Sequence, residues 1–362
     1  MRFGYNVLSK DATLRPHMEK INPGGMIYFQ DQIDEAKWAK ARFPNAHIMI
    51  RFWPDSDTYK KYPDPQKWVD AHSDMIGTGL IVQTMNEGGF TPEIIAWHVR
   101  LLNYLLNTGT DLRVGVLGLN VGTPKPEEWG MADEMFKLMA KMRGRVYLVL
   151  HEYFGAVVTS GIIGGDPNNA GVAHGQPGGY NLVPIANWPS NPQAQTLWHV
   201  GRYMFLKRHL ASVGIPMPQI IIGEFGADYL SDIDAYLRTL HSTQGQYDIV
   251  DGWRDLWNDW RTWYNLEPGD VYMKMAEYAD KFIYGSDVVA ILFFARGTNG
   301  GWKTYRTDPD LDPYIEKYVA GNTPPVVPPV VVPPVVTPPA PTPIDRSLIL
   351  KALIQQTLDN FK

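Results

Sequence analysis

The chain of 362 residues contains no cysteine, which excludes disulfides and thiolate metal centres and leaves the compartment open. It has no run of about 18 apolar residues, so nothing in it predicts a membrane-spanning helix. Positive charge is not in excess: 33 Lys and Arg against 38 Asp and Glu give a formal net charge of −5. Neither nucleic acid nor an anionic membrane surface is therefore an expected partner. A leader segment is not evident either, because Met1-Arg2-Phe3-Gly4-Tyr5-Asn6-Val7-Leu8 reads directly as a first strand.

Short apolar runs are what the chain has in number. Eight of them, each followed by helix-compatible sequence, span Phe3–Leu8, Gly25–Phe29, His47–Phe52, Leu80–Met85, Arg113–Leu119, Arg145–Leu150, Gln219–Ile222 and Val288–Phe294. Most are rich in Val, Ile, Leu and Phe and bounded by Gly, Pro, Asn or Asp, as strands buried on both faces are. Amphipathic helices are predicted between them over Asp31–Arg42, Pro92–Leu106, Glu127–Met142 and Ala194–Val213. Eight alternations of strand and helix predict a closed parallel (β/α)8 barrel, the TIM-barrel architecture of the α/β class.

The barrel is expected over residues 1–321. Residues 322–343 form a Pro/Val/Thr-rich stretch, TPPVVPPVVVPPVVTPPAPTP from Thr323, which predicts an extended polyproline-II spacer. Residues 344–362 then carry Leu348, Ile349, Ala352, Leu353, Leu358 and Phe361 on one side of a short amphipathic helix. That helix is marginal alone. It is read as an element that self-associates or docks on a protein partner, or as the stub of a truncated module.

Two connections are long. Phe154–Pro192, dense in Gly, Asn and Pro, contains Trp188, and loops of this length on a barrel face are commonly functional. The other holds Trp253, Trp257, Trp260 and Trp263 at helical spacing, read first as a packing stripe and second as a sugar platform. With 12 Trp and 19 Tyr in the chain, aromatic faces are available for the C–H faces of sugars.

Chemistry points to two glutamates. Glu87 closes Gly79-Leu-Ile-Val-Gln-Thr-Met-Asn-Glu87 after the fourth run, and Glu224 closes Pro218-Gln-Ile-Ile-Ile-Gly-Glu224 in the seventh. Carboxylates at the C-terminal ends of barrel strands stand where such folds keep their active sites. A pair of them suits glycoside hydrolysis, one as acid/base and one as nucleophile.

The run pattern, with Asn86-Glu87 after the fourth run, Gly223-Glu224-Phe225-Gly226 at the seventh and His151-Glu152-Tyr153 at the sixth, resembles the retaining glycoside hydrolases of clan A, family 5 (cellulase-like) in particular. The resemblance implies Glu87 as acid/base, Glu224 as nucleophile and Asn86 as partner of the sugar 2-hydroxyl. Arg51 and Tyr153 are expected to donate to Glu224 and hold it ionised, and His151 to neighbour Glu87 or the substrate. Alternation sends Glu152 to the opposite face. Trp188 and Trp302 are further candidates for substrate contact, Trp302 because the family's Trp at the end of the eighth run is replaced here by Phe293-Phe294-Ala295-Arg296-Gly297. Gly88-Gly89 also replaces a Pro that many relatives carry. No metal and no organic cofactor is expected, and the partner is a carbohydrate, cleaved at β-glycosidic bonds. Such a substrate implies a secreted or extracellular setting. Two other readings stay open: a catalytically silent barrel that binds carbohydrate or builds a surface or phage assembly, and a phage cell-wall lytic glycosidase.

Overall fold

A computed structural model describes residues 3–9, 12–52, 56–120, 123–155, 173–176, 179–181, 203–228, 287–297, 307 and 310–322. These belong to one compact unit, Met1–Asn322. Trp188, Trp302, the Trp253–Trp263 stripe, the Pro-rich segment from Thr323 and the segment 344–362 lie outside the described residues.

The strands are β1 (Phe3–Val7), β2 (Gly25–Phe29), β3 (His47–Arg51), β4 (Ile81–Gln83), β5 (Arg113–Leu119), β6 (Val146–Gly155), a β7–β8 pair (Ala173–Gln176, Gly179–Asn181), β9 (Gln219–Asp228) and β10 (Val288–Arg296). All but β7 and β8 form a closed barrel in the order β1-β10-β9-β6-β5-β4-β3-β2. Every pairing around it is parallel, and it closes through Phe3↔Ile291 to Asn6↔Phe294. The eight apolar runs are the eight barrel strands. Two of them outlast their apolar residues, because β6 and β9 keep pairing as far as Gly155↔Asp228. The small antiparallel β7–β8 pair falls inside the long connection after β6.

The helices described are α1 (Leu14–Ile21), α2 (Ile33–Arg42), α3 (Thr58–Lys61), α4 (Pro65–Ala71), α5 (Pro92–Thr108), α6 (Asp133–Lys141), α7 (Tyr203–Ser212) and α8 (Asp312–Asn322). Two helices expected from periodicity begin later than their patterns, each after a 3-10 turn, Gln30–Gln32 before α2 and Pro126–Ala132 before α6. In the second, Pro126 has no N–H to give, and Glu128 reaches back to the Lys125 N–H at 2.7 Å.

Two apolar layers explain the continuous runs. Ile27, Met49, Ile81, Tyr147, Val149, Ile221, Ala290 and Leu292 pack together inside the barrel. Their sequence neighbours Ile48, Ile50, Val82, Leu148, Leu150, Ile220 and Ile222 pack outward with the helices. Each strand is thus buried on both sides, and alternation of polarity is absent where strand and helix layers meet.

Helix α5 fastens the strand that leads to Glu87. The Thr91 hydroxyl accepts the Ile94 N–H at 3.4 Å, Pro92 occupies the first turn, and Gly109 ends the helix in the left-handed region at φ 66°. His98, fully buried in its middle, lies 2.9 Å from the Ile94 carbonyl through Nδ1 and 2.9 Å from the Thr84 hydroxyl through Nε2. Burial lowers its imidazole to about 4. The unfolded chain therefore takes up this proton first as pH falls. Stability contributed by neutral His98 is present above about pH 6.5, declines through the interval down to 4, and is lost below it. The full loss is on the order of 3 kcal/mol. Denaturant midpoints measured at pH 7.5 and 4.5 should fall toward acid, and His98→Gln should narrow the difference. His47, lowered to about 4 by burial, acts with the same sign.

Candidate active site

On β6 the interior side chains are Tyr147 and Val149, so period-2 geometry carries His151 and Tyr153 into the barrel mouth. Glu152 goes to the other face with Leu148 and Leu150 and is fully buried there. On β9 that geometry breaks. Ile221 is interior and pairs with Val149, and Ile222 is exterior and pairs with Leu150. Simple alternation would send Glu224 outward with Ile222. A register shift places Glu224, not Gly223, opposite His151. This bulge inserts one residue and re-aims the carboxylate into the mouth. Gly223 makes room for it, since a Cβ there would stand 2.9 Å from Val149 Cγ1.

Glu87 reaches the mouth by a different device. Its backbone is left-handed at φ 54°, and its N–H donates to the Gly118 carbonyl at 2.7 Å. Such a conformation costs a non-glycine residue about 1–3 kcal/mol and persists only when its surroundings hold it. The holder is an irregularity in β5 between Val116 and Leu119, where Leu117 and Gly118 are themselves at positive φ. Only glycine fits at 118, because a Cβ would come within 2.4 Å of the Met85 carbonyl.

The side chains then converge. Glu224 Oε1 accepts from Arg51 Nη1 at 2.7 Å, and its Oε2 accepts from the Tyr153 hydroxyl at 2.7 Å. His151 Nδ1 lies 3.0 Å from Glu87 Oε1 and 3.4 Å from Glu224 Oε2. Arg51 also donates from Nε to Gln83 Oε1 at 3.1 Å, and its Nη2 stands 3.5 Å from His151 Nε2. A guanidinium can only donate, so His151 Nε2 accepts and the imidazole proton resides on Nδ1, facing the two carboxylates. Gln83 Nε2 completes the chain to the Met85 carbonyl at 3.0 Å and to Asn86 Oδ1 at 3.3 Å.

Glu87, His151 and Glu224 present donor atoms within 4.8 Å of one another, a spacing that by itself could hold a metal ion. The hydrogen bonds point elsewhere: with the proton on Nδ1, His151 has no lone pair on that side, and Arg51 already supplies a positive charge at Glu224.

Glu87, Glu224, Arg51, His151 and Tyr153 are thus brought together, and Asn86 joins them through Gln83. Sequence reasoning missed three residues. Gln83 is the one polar side chain in the interior series that starts at Ile81. Asn6, fully buried at the end of β1, places Nδ2 3.5 Å from both Glu224 Oε1 and the Gly223 carbonyl. Phe294 packs edge-on against Tyr153 with ring centroids 6.2 Å apart. The signal for each was polarity or aromaticity at the C-terminal end of a run, visible only once the run was known to face inward. Beside this network, a cavity of about 160 Å³ is lined by Phe52, Tyr62, Trp68, His72, Gln83 and Thr84, among others.

No protein-family model matches the chain, and no curated protein matches it. Solved structures similar to it include an endo-β-1,3-glucanase of GH128 subgroup II from Pseudomonas viridiflava, at 14% identity over 87% of this chain and 96% of that one, TM-score 0.40. A GH128 subgroup I endo-β-1,3-glucanase from Amycolatopsis mediterranei, in complex with laminaritriose, is similar at 11% identity over 87% and 98%, TM-score 0.41. An endo-1,4-β-D-mannanase from Thermotoga petrophila RKU-1 is similar at 11% identity over 88% and 99%, TM-score 0.41.

Proposed function

We propose that the protein is a retaining glycoside hydrolase of the clan A type that cleaves β-glycosidic bonds of a polysaccharide or oligosaccharide by double displacement. The observation that carries this reading is the carboxylate pair, an oxygen of Glu87 lying within 4.8 Å of an oxygen of Glu224. Retaining pairs stand about 5–5.5 Å apart, whereas inverting pairs need about 6.5–9.5 Å to admit a water between sugar and base.

Glu224, with both oxygens fixed by Arg51 and Tyr153, attacks the anomeric carbon while Glu87 gives its proton to the departing glycosidic oxygen. The C–O bond to the leaving group breaks and an ester to Glu224 forms. Glu87, now a carboxylate, then takes a proton from water, whose oxygen attacks the same carbon and releases Glu224. His151 keeps Glu87 in place, its Nδ1–H reaching the Glu87 carboxylate. Asn86 is positioned through Gln83 to meet the sugar 2-hydroxyl. Every step is carried by these side chains and water. A polysaccharide substrate would place the protein outside the cell.

The test is a 2,4-dinitrophenyl 2-deoxy-2-fluoro-β-glycoside. Expected are one equivalent of released phenolate, loss of activity, and a glycosyl mass on the peptide containing Glu224. A silent barrel would give none of these, and a label on any other residue would refute the assignment.

A further inference from the structure

We infer that Gln83 is a positioning residue: it fixes which end of the Asn86 carboxamide meets the substrate, and so selects sugars whose carbon 2 carries a hydrogen-bond acceptor. That Asn86 meets a sugar rests on the glycosidase reading. The orientation of the two amides rests on hydrogen bonds alone.

Gln83 ends β4 and is 1% exposed. Its amide can be held in only one way. Arg51 Nε, 3.1 Å away, is a donor and nothing else, so the atom facing it is Oε1. The Met85 carbonyl, 3.0 Å away, only accepts, so the atom facing it is Nε2. Turning the amide over would set donor against donor at one end and acceptor against acceptor at the other, a costly arrangement for buried groups. The seat is also close-fitting, since a Cβ at Gly118 would stand 2.5 Å from Gln83 Nε2.

Nε2 carries a second hydrogen, and Asn86 lies 3.3 Å from it. The Asn86 atom at that contact must accept, so it is Oδ1. Its Nδ2 is then turned away from the enclosed amide and has no hydrogen-bond partner among the described residues. Asn86 is only partly buried, and this donor keeps access to solvent one residue before Glu87. A group that can only donate demands an acceptor from whatever it meets. The oxygen of a sugar 2-hydroxyl supplies one. A protonated 2-amine has hydrogens but no lone pair, and a 2-deoxy sugar has neither. Sugars with a 2-hydroxyl are therefore accepted at this position, and cationic 2-amino sugars are rejected.

The experiment compares kcat/KM of the full chain on 2,4-dinitrophenyl β-D-glucoside and β-D-mannoside, on the 2-deoxy analogue that both share, and on the 2-amino-2-deoxy glucoside with its amine protonated. Gln83→Met leaves Asn86 free to turn, so the preference for a 2-hydroxy over the 2-deoxy substrate should fall about tenfold. Adding Asn86→Ala to Gln83→Met should lower that preference no further, because both changes remove one contact. A loss of stability in Gln83→Met does not move this ratio, since the same folded protein acts on both substrates. In Gln83→Glu the new carboxylate still accepts from Arg51 but cannot donate, so Asn86 turns its NH2 inward and its oxygen outward. The 2-amino substrate should then gain at least about tenfold relative to the 2-hydroxy one. Exchange of the Asn86 side-chain NH2 with water, followed by ¹⁵N NMR, should be free in the parent and slowed in Gln83→Glu. Equal losses on 2-hydroxy and 2-deoxy substrates in Gln83→Met, or a protected Asn86 NH2 in the parent, would overturn the inference. Absence of hydrolysis by the native enzyme on any glycoside would instead defeat the reading of Glu87 and Glu224, leaving the exchange rates to decide how Gln83 holds Asn86.

Discussion

Glu224→Gln is expected to reduce hydrolysis of every glycoside by at least about 10⁴-fold while the fold survives. An amide cannot form the ester, so no step of the double displacement remains. The fold survives because the local hydrogen bonds can be rearranged within the site. Arg51 can only donate and holds the amide oxygen, which turns the new NH2 toward Tyr153. A phenol hydroxyl can rotate and accept from it. Thermal unfolding close to the parent's, with turnover gone, is the expected pair of results. Turnover within tenfold of the parent would end the nucleophile assignment.

Glu87→Gln should separate the two half-reactions. Substrates with a sugar or alkyl leaving group need the proton and should slow by about 10²–10⁴-fold. A dinitrophenyl glycoside leaves without protonation, so its first step should proceed nearly unimpaired and stall as the ester on Glu224, seen as a burst of phenolate. Added azide, a nucleophile that needs no base, should restore turnover and yield the β-glycosyl azide. Equal losses on both substrate types, with no burst, would place Glu87 outside the chemistry.

The barrel was legible in the sequence because each strand is buried on both faces, and a run such as Ile220-Ile221-Ile222 fits little else. The two carboxylates were legible as positions, one after the fourth run and one at the seventh. Their aim was not. Counting alternately from Ile221 turns Glu224 away from the cleft, and the bulge that corrects it leaves as its only trace a glycine at 223. Glu87 likewise depends on a backbone conformation imposed by Gly118, more than thirty residues away. Gln83 and Asn6 went unread because a single polar residue within an apolar run carries no direction until the inside of the barrel is known. Local propensity registers burial, whereas the site was made by irregularities in pairing between strands.

The two carboxylates also differ in their access to solvent. The Glu87 side chain is 45% exposed, and that of Glu224 is 9% exposed beneath Arg51 and Tyr153. In the proposed reaction the leaving group departs and the water arrives on the same side of the sugar, both attended by Glu87. The traffic of the reaction thus passes the wet residue, while the ester forms at the dry one. An incoming alcohol in place of water would take the same route, so a second saccharide waiting at Glu87 would be joined to the held sugar. In the proposed reaction, then, water and a second saccharide would compete for one entrance, the exposed side of Glu87.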